Sequence, residues 1–572
     1  MKNLKNMKYI TFLSLIMTIF LFYGCLDDNT VTEYNELTLV DSVLITNLNT
    51  GSSKLFTEED SPYFSNSYYT GDTIRFSAES FYSKDEKVTV EWNYCGDTFL
   101  GKGDTLVYPS SLLPEVVYAY MFVIIHREGH KGSQIYKFNI SETDKFGNGL
   151  YILAKEGDHS IIDFVQTNTL KYQDVEYAGE PYTITTYEYN LLENNYKKSN
   201  NEELQLSDPT RILIYGRYWT NSIQTVDKDW KKSTLINLGD MKKMLTMEDE
   251  FVGTPEEATN FVNYAKAGTY MNYVFDKAHG YIYAKVDFDK YPGTGSFSSL
   301  PLSFDDPDDN PDLGPQTIVA DTMWGVAHPN SGNTALVYEK SKKRFLLLSG
   351  LSATYYEGKR EYSHIFALDG DYPEGAVNLN NVDKELYGVY YTFERTGLIY
   401  FIFKDGAGGY IIQKVNITTS TSSVNHSLKF NTSNIKVIQA TSELVEIFDN
   451  CDPSKIYVGQ SRSWNPLFFC PSKNKLYSFN LDNDIVGELT ETCDLSAYGT
   501  LDYAVSTDRW YTADNADAVT RYFVGRVFYA FFNNYTDFKV IKIYDDPAKT
   551  TPQLEVLVEK HYPDGVADCC KW

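Results

Sequence analysis

The sequence predicts an all-β chain, with a small N-terminal sandwich followed by a β-propeller of about seven blades, six or eight also being compatible. Three observations carry this. Aromatic residues make up 15% of the 572 residues, with 47 Tyr and 33 Phe, and aromatic and β-branched side chains suit a pleated, half-buried surface. Short apolar runs alternate with turn-rich segments throughout. From Leu150 onward a strand-turn-strand pattern recurs, several turn centres lying roughly 50 to 60 residues apart, a blade-sized period. A large sandwich or two irregular β domains is the competing architecture.

Residues 1–24 read as a leader. Lys2, Lys5 and Lys8 give a basic start, and the apolar run from Tyr9 to Tyr23 falls short of the roughly 20 residues a membrane-spanning helix needs. Gly24-Cys25 closes that run and resembles the lipobox of bacterial lipoproteins, although Phe22 and Tyr23 are bulkier than usual. The resemblance implies that Cys25 is acylated and heads the mature chain, a palmitate-type anchor holding it to the membrane. Asp27-Asp28 resembles the signal that sends Bacteroidetes lipoproteins to the outer face of the outer membrane. Residues 25–35 then form a polar tether.

Residues 36–142 read as one antiparallel sandwich: "ELTLVDSVLITNL", "DTIRFSAESF", "KVTVEWNYCGD" and "YAYMFVIIHREGHKGSQIYKFNI" have sandwich-like spacing. "TIRFSA" and "VTVEWNYCGD" resemble the PKD module, an Ig-like sandwich, with Trp92 as core residue and Gly96-Asp97 at the turn; Cys95 is an insertion against that pattern. Residues 143–572 form the repeat region. Hairpins are expected at "LYILAKEGDHSIIDFV", "YVFDKAHGYIYAKVDF", "ALVYEKSKKRFLLLSG", "YYTFERTGLIYFIFKD", "LFFCPSKNKLYSFNLD" and "RYFVGRVFYAFFN", with a weaker copy at "RILIYGRYWTNSIQTVD". The stretch 239–268 reads as a helical insertion, with Thr254 as cap and Pro255 at the first position.

The lipobox, a single PKD-like module and "GNGLYILAKEG" opening a repeat-rich β region together resemble the PKD-like family of Bacteroidetes lipoproteins. That resemblance implies a surface accessory protein of a nutrient importer, partnered by a TonB-dependent transporter and its lid-like lipoprotein of the starch-utilisation type.

The net charge of −26 argues against nucleic acid as a partner. Six cysteines remain besides Cys25, and their pairing is not deducible from sequence. "HREGH" (126–130) has Arg at 127 where a zinc protease needs Glu, and its flanks read as strands. "DDPDDNPD" offers Asp305, Asp306, Asp308, Asp309 and Asp312 to calcium, but an EF-type loop counted from Asp306 meets Pro311 at its sixth position and Thr317 at its twelfth. "DGAGGY" (405–410) is a turn without phosphate-loop spacing. No nucleophile elbow occurs, so neither a catalytic residue nor a cofactor is expected.

The more suggestive residues are four tryptophans in turn-like settings: Trp219, Trp324, Trp464 and Trp510. Arg217, Arg462 and Arg509 precede three of them by one or two positions. One aromatic from each of several blades can build a shared platform for an extracellular oligosaccharide or peptide; packing between blades is the plainer role. The expected function is a surface-exposed, lipid-anchored, non-catalytic binding or scaffold component of glycan or peptide uptake. A propeller-borne polysaccharide lyase or glycoside hydrolase, or a purely structural transporter subunit, are the alternatives.

Overall fold

The computed structural model describes residues 42–49, 53–57, 65–69, 73–81, 87–114, 119–128, 133–143, 146, 149–217, 220–255, 260–267, 271–286, 295–304, 316–326, 334–349, 354–356, 359–361, 364–368, 370–391, 398–416, 435–460, 466–482, 485–486, 489–507 and 518–571. The chain is all-β and divides into two compact units, the break falling between Thr143 and Asp144. Cys25, its leader and the tether lie outside the described residues.

Among the described residues the first unit holds nine strands: β1 (Ser42–Asn47), β2 (Ser53–Thr57), β3 (Ser65–Tyr69), β4 (Thr73–Phe81), β5 (Val88–Tyr94), β6 (Thr98–Lys102), β7 (Thr105–Pro109), β8 (Ala119–Arg127) and β9 (Ser133–Thr143). They form two sheets, ordered β2-β1-β4-β7 and β3-β9-β8-β5-β6, with β3 parallel to β9. Alternation decides the faces. In β1 every second residue is buried, as a period of two requires when one face meets the core. Val43, Ile45 and Phe76 from one sheet meet Trp92, Val123 and Phe138 from the other.

Trp92 is fully buried, its indole Nε1 donating to the Gly103 carbonyl at 2.8 Å. The turn after β5 uses Cys95 and Gly96 at positive φ, +53° and +94°, so the extra cysteine is absorbed into a left-handed turn. His126 sits near the end of β8, paired with Thr89 on one side and Ser133 of β9 on the other. Trp92→Ala should destabilise the sandwich by roughly 3–5 kcal/mol through lost burial and the cavity left behind. Denaturant unfolding checks this, and a loss under 1 kcal/mol would contradict the packing described.

Among the described residues, the second unit is built from seven consecutive sheets of four or five strands, with two small pairs besides, Ser303–Phe304 with Gln316–Thr317 and Thr354–Tyr356 with Lys359–Glu361. Sheet one combines Gly149–Glu156, His159–Tyr177 and Glu180–Leu192 with the C-terminal strand Val566–Lys571. Sheet two is Pro209–Arg217, Thr220–Asp227, Thr234–Asn237 and Lys243–Thr246. Sheet three is Phe261–Ala267, Met271–Asp276, Tyr281–Val286, Phe297–Ser298 and Phe251–Val252. Sheet four is Thr322–Val326, Thr334–Glu339, Arg344–Ser349 and His364–Ala367. Sheet five is Glu385–Tyr391, Leu398–Lys404, Tyr410–Asn416 and Lys436–Gln439. Sheet six begins Tyr457–Gln460, Pro466–Ser472 and Lys475–Asp482. Sheet seven is Leu501–Ser506, Arg526–Phe532, Asp537–Tyr544 and Gln553–His561.

Apolar clusters join each sheet to the next. Tyr151 and Phe164 of sheet one pack with Ile212 and Ile223 of sheet two, and Val226 and Leu235 with Phe261 and Tyr283 of sheet three. Similar clusters join three to four, four to five, five to six and six to seven. The last returns to the start: Tyr529, Phe531 and Phe538 of sheet seven pack on Leu150, Ile152 and Val165 of sheet one. Among the described residues the sheets thus form a closed, β-propeller-like ring, in which radial repetition leaves few open edges. A sheet covered on both faces reads as an apolar run without alternation, which is why Met271–Asp276 and Pro466–Ser472 are buried along their whole lengths.

Two expectations are corrected. The described residues of 239–268 form no helical insertion: they hold strand Lys243–Thr246, the single turn Met247–Glu250 held by a Thr246–Asp249 capping box, and strand Phe261–Ala267. Phe261 and Tyr264 are drawn into the cluster between sheets two and three, and that burial overrides local helix signals. "RYFVGRVFYAFFN" is no hairpin either, because Ala518–Phe523 is helical and only Arg526–Phe532 is a strand.

Candidate site at the ring centre

Each of the seven sheets has one strand at its inner end: Pro209–Arg217, Phe261–Ala267, Thr322–Val326, Glu385–Tyr391, Tyr457–Gln460, Leu501–Ser506 and, in sheet one, Val566–Lys571. In five of them the pairing slips by one residue near the strand start. The extra residues are Thr210, Val262, Tyr387, Asp502 and Ala567. Such a bulge bends the strand and re-aims the side chain beside it. The residues directly after the slip are Arg211, Asn263, Gly388, Tyr503 and Asp568, so five sheets present corresponding positions to the middle of the ring.

Arg211 Nη1 faces Asp568 Oδ1 at 3.5 Å, and Asp568 Oδ2 accepts the Ile212 amide at 2.9 Å. Sheets one and two are thereby tied through a side chain supplied by the C-terminal strand. Arg211 lies within electrostatic reach of Tyr391 and Tyr503, from sheets five and seven. Its side chain is 38% exposed to solvent. Asn263 Nδ2 donates to the Met323 carbonyl at 2.6 Å, linking sheets three and four. Gly388 gives the corresponding position no side chain; a Cβ there would lie 2.4 Å from the Tyr390 hydroxyl.

The electrostatics favour hydrogen bonding over nucleophilic chemistry. Asp568 holds the Arg211 guanidinium in its charged form. Burial pushes the Asp568 carboxyl up, against the pull of Arg211 and of the Ile212 and Cys569 amides. Accepting two amides while facing a guanidinium is the environment of an ionised carboxylate. Burial also raises the Tyr503 phenol well above its ordinary value, and the Tyr391 phenol despite the opposing pull of Arg211. The Cys569 thiol is pushed well up and that of Cys570 to about 11, so both are neutral at physiological pH, whereas a nucleophilic cysteine needs a lowered value. Neighbours on one strand, they point to opposite sides, Cys569 toward the sheet seven cluster and Cys570 toward that of sheet two.

Buried carboxylates at the ends of second strands fasten the chain ahead of three inner strands. Asp227 accepts the Asp208 amide at 2.8 Å, Asp276 that of Asn260 at 3.0 Å, and Glu339 that of Val319 at 3.2 Å. Each holds the chain just ahead of an inner strand. At the rim of sheet five a cleft of about 440 Å³ is lined by Glu385, Tyr387, Lys404, Tyr410 and Asp449 among others. Its phenols are committed internally, Tyr387 donating to the Phe448 and Cys451 carbonyls and Tyr410 to Asp449. Among the described residues no group of three or more His, Cys, Asp or Glu is arranged to hold a metal ion.

Of the residues singled out from sequence, Trp219, Trp464, Trp510, Arg462 and Arg509 lie outside the described residues, as do Asp305, Asp306, Asp308, Asp309 and Asp312. Arg217 ends the inner strand of sheet two, opposite Thr220. Trp324 lies mid-strand in sheet four, half-buried, its ring centred 6.2 Å from that of Phe345 in the cluster between sheets four and five. The structure brings together Arg211 and Asp568 instead. Nothing in the sequence marked them, since a one-residue register slip leaves no periodic signature.

No family model and no curated protein matches the chain. Among solved structures, a quinonprotein alcohol dehydrogenase-like protein from Bacteroides thetaiotaomicron is 11% identical, over 79% of this chain and 97% of that one, with a TM-score of 0.24. A dihydro-heme d1 dehydrogenase is 11% identical over 71% and 66%, with a TM-score of 0.35. A protein from Lactobacillus plantarum is 9% identical over 73% and 98%, also at 0.35.

Proposed function

We propose that this chain is a lipid-anchored lipoprotein on the outer face of the outer membrane, acting without catalysis as a binding or scaffold component of nutrient uptake. In this reading Cys25 carries the lipid, the first unit is a PKD-like, Ig-like sandwich that serves as spacer, and the ring is a seven-bladed β-propeller that meets polymer, transporter or both. One observation supports it most. Trp219, Trp464 and Trp510 fall in the connections that follow three inner strands, after Arg217, Gln460 and Ser506. Those strands hold the same place and direction in their sheets, so the ends after which the tryptophans come lie at one end of the ring, as an aromatic platform requires.

The test is capture of the full protein, tagged at its C-terminus, from detergent-solubilised outer membranes. Co-purification of a TonB-dependent transporter and its lid lipoprotein is expected; recovery of the protein alone would count against the reading. Trp464→Ala with Trp510→Ala should weaken binding of the extracellular oligomer at least tenfold, as truncating aromatic anchors does, with melting unchanged. Unaltered affinity would remove the platform.

A further inference from the structure

We infer that the cleft at the rim of sheet five is a binding site for one end of a neutral saccharide, held by Glu385, Lys404, Asp405 and Asp449 against the ring of Tyr387. It lies where an inner strand begins, the end opposite the tryptophan-bearing connections, so it does not rest on the platform proposed above.

Sheet five departs from its neighbours at one position. Asp227 and Asp276 stand opposite the first residues of their inner strands, Pro209 and Phe261, and are fully buried clamps on the incoming chain. Lys404 holds that place in sheet five, opposite Glu385. A lysine cannot accept an amide, and its side chain is 44% exposed, with Nζ 2.6 Å from Glu385 Oε1. Lys384, the residue ahead of the strand, reaches Asp405 Oδ1 at 3.1 Å. The inward clamp is thus replaced by ion pairs at the surface. Between them and residues 448–453 lies the cleft of about 440 Å³, within the usual size of small-molecule sites.

The floor is rigid before a ligand arrives. The one-residue slip at Tyr387 re-aims its ring, and its hydroxyl is fixed on the Phe448 and Cys451 carbonyls at 2.9 and 2.8 Å. Tyr410 and Phe448 pack around it with ring centres 5.0 and 5.2 Å away, and both are buried. Half-buried Tyr387 is therefore the ring left to meet a ligand. With its orientation already set, little ordering cost remains. A fixed aromatic surface suits the C–H face of a sugar ring.

The polar groups select the ligand. Lys404, Lys384 and the Tyr410 hydroxyl each occupy one oxygen of Glu385, Asp405 and Asp449. Among the described residues the second oxygen of each carboxylate has no hydrogen-bond partner. The lining thus offers three acceptors together with the remaining donors of Lys404. Sugar hydroxyls both donate and accept, so they satisfy both kinds through charge-assisted bonds, the stronger sort. Three carboxylates against one ammonium disfavour an anion, as does the chain's net charge of −26. A cation finds Glu385 and Asp405 already neutralised by lysines and only Asp449 left for it.

Calorimetric titration of the detergent-solubilised full chain with neutral trisaccharides of α-linked glucose, β-linked glucose, mannose, xylose and galactose tests the inference. At least one should bind. Asp449→Asn, which still leaves an oxygen for the Tyr410 hydroxyl, and Lys404→Met should each weaken that binding tenfold or more. Both side chains are exposed, so melting should be unchanged, and melting curves identify a variant that fails to fold; either one alone then suffices. Absence of binding by all five sugars, undiminished binding by the folded variants, or tighter binding of spermidine or trigalacturonate than of any neutral sugar would each overturn the site. Sugar binding lost in Trp464→Ala with Trp510→Ala yet kept in Asp449→Asn would overturn it while leaving the platform standing.

Discussion

Deletion of residues 564–572 is expected to abolish folding of the ring while the sandwich still unfolds as a separate transition. The C-terminal strand is the inner strand of sheet one, pairing Leu150 with Lys571, Tyr151 with Cys570, Ile152 with Cys569 and Leu153 with Asp568. Its ladder hydrogen bonds, at about 1 kcal/mol each, sum to roughly 5 kcal/mol. Val566 adds apolar burial on the sheet seven side. Asp568 would be lost to Arg211 and to the Ile212 amide, and Lys571 Nζ would no longer donate to the Ser506 carbonyl at 2.6 Å. A domain's whole stability is about 5–15 kcal/mol, so the loss is of the same size. The contacts left between sheets seven and one, such as the Tyr562 hydroxyl donating to Asp163 at 2.8 Å, the Lys560 ammonium on Asp163 at 2.8 Å and the apolar cluster around Tyr529 and Phe531, cannot restore an inner edge. The opened ring would also expose the Gly149–Glu156 edge to intermolecular pairing. Scanning calorimetry should show two transitions in the full chain and only the sandwich transition in the truncated one. A ring transition surviving within a few degrees would show that closure by this strand is dispensable.

The seven-sheet ring was legible in outline because the second strand of each sheet is covered on both sides. Met271–Asp276, Pro466–Ser472 and Arg526–Phe532 are buried almost throughout, and their uninterrupted apolar runs stand out. Inner and outer strands are only partly covered, as Lys243–Thr246 and Gln553–His561 are, so they carry little signal. Hairpin phases were therefore mixed. "RILIYGRYWTNSIQTVD" is the pair of first and second strands in sheet two, while "YVFDKAHGYIYAKVDF" is the pair of second and third in sheet three. The residues that follow Thr254-Pro255 lie outside the described residues, but Phe261 and Tyr264 fit an apolar slot between sheets, and over Phe261–Ala267 tertiary burial outweighed propensity. The centre was illegible for a different reason. Arg211 and Asp568 stand 357 positions apart in chain order, meeting only because the last strand closes the first sheet. No local pattern encodes that encounter.

The ion pair between Lys285 and Glu250 gives the second large effect. Glu250 ends the capped turn before Phe251, and Lys285 lies in Tyr281–Val286 opposite Phe297. Both side chains are fully excluded from solvent, they hydrogen-bond to each other, and the ammonium lies 5.1 Å from the centre of the Phe297 ring. Removing water from two charges costs several kcal/mol per ion, which mutual attraction only roughly repays. The pair therefore contributes little net stability, yet neither partner can be removed alone. Glu250→Leu should leave a buried ammonium against aromatic rings and destabilise the ring by about 3–5 kcal/mol, and Lys285→Met should strand the carboxylate at similar cost. Combining the two replaces charges with apolar groups of similar volume, and should return stability to within about 1 kcal/mol of the parent or above it. Urea unfolding of the ring transition across the four proteins measures the coupling directly. Single variants costing less than 1 kcal/mol, or costs that simply add in the double variant, would mean that water reaches this pair and that sheet three is less tightly closed than its Phe251, Phe261, Tyr283 and Phe297 contacts indicate.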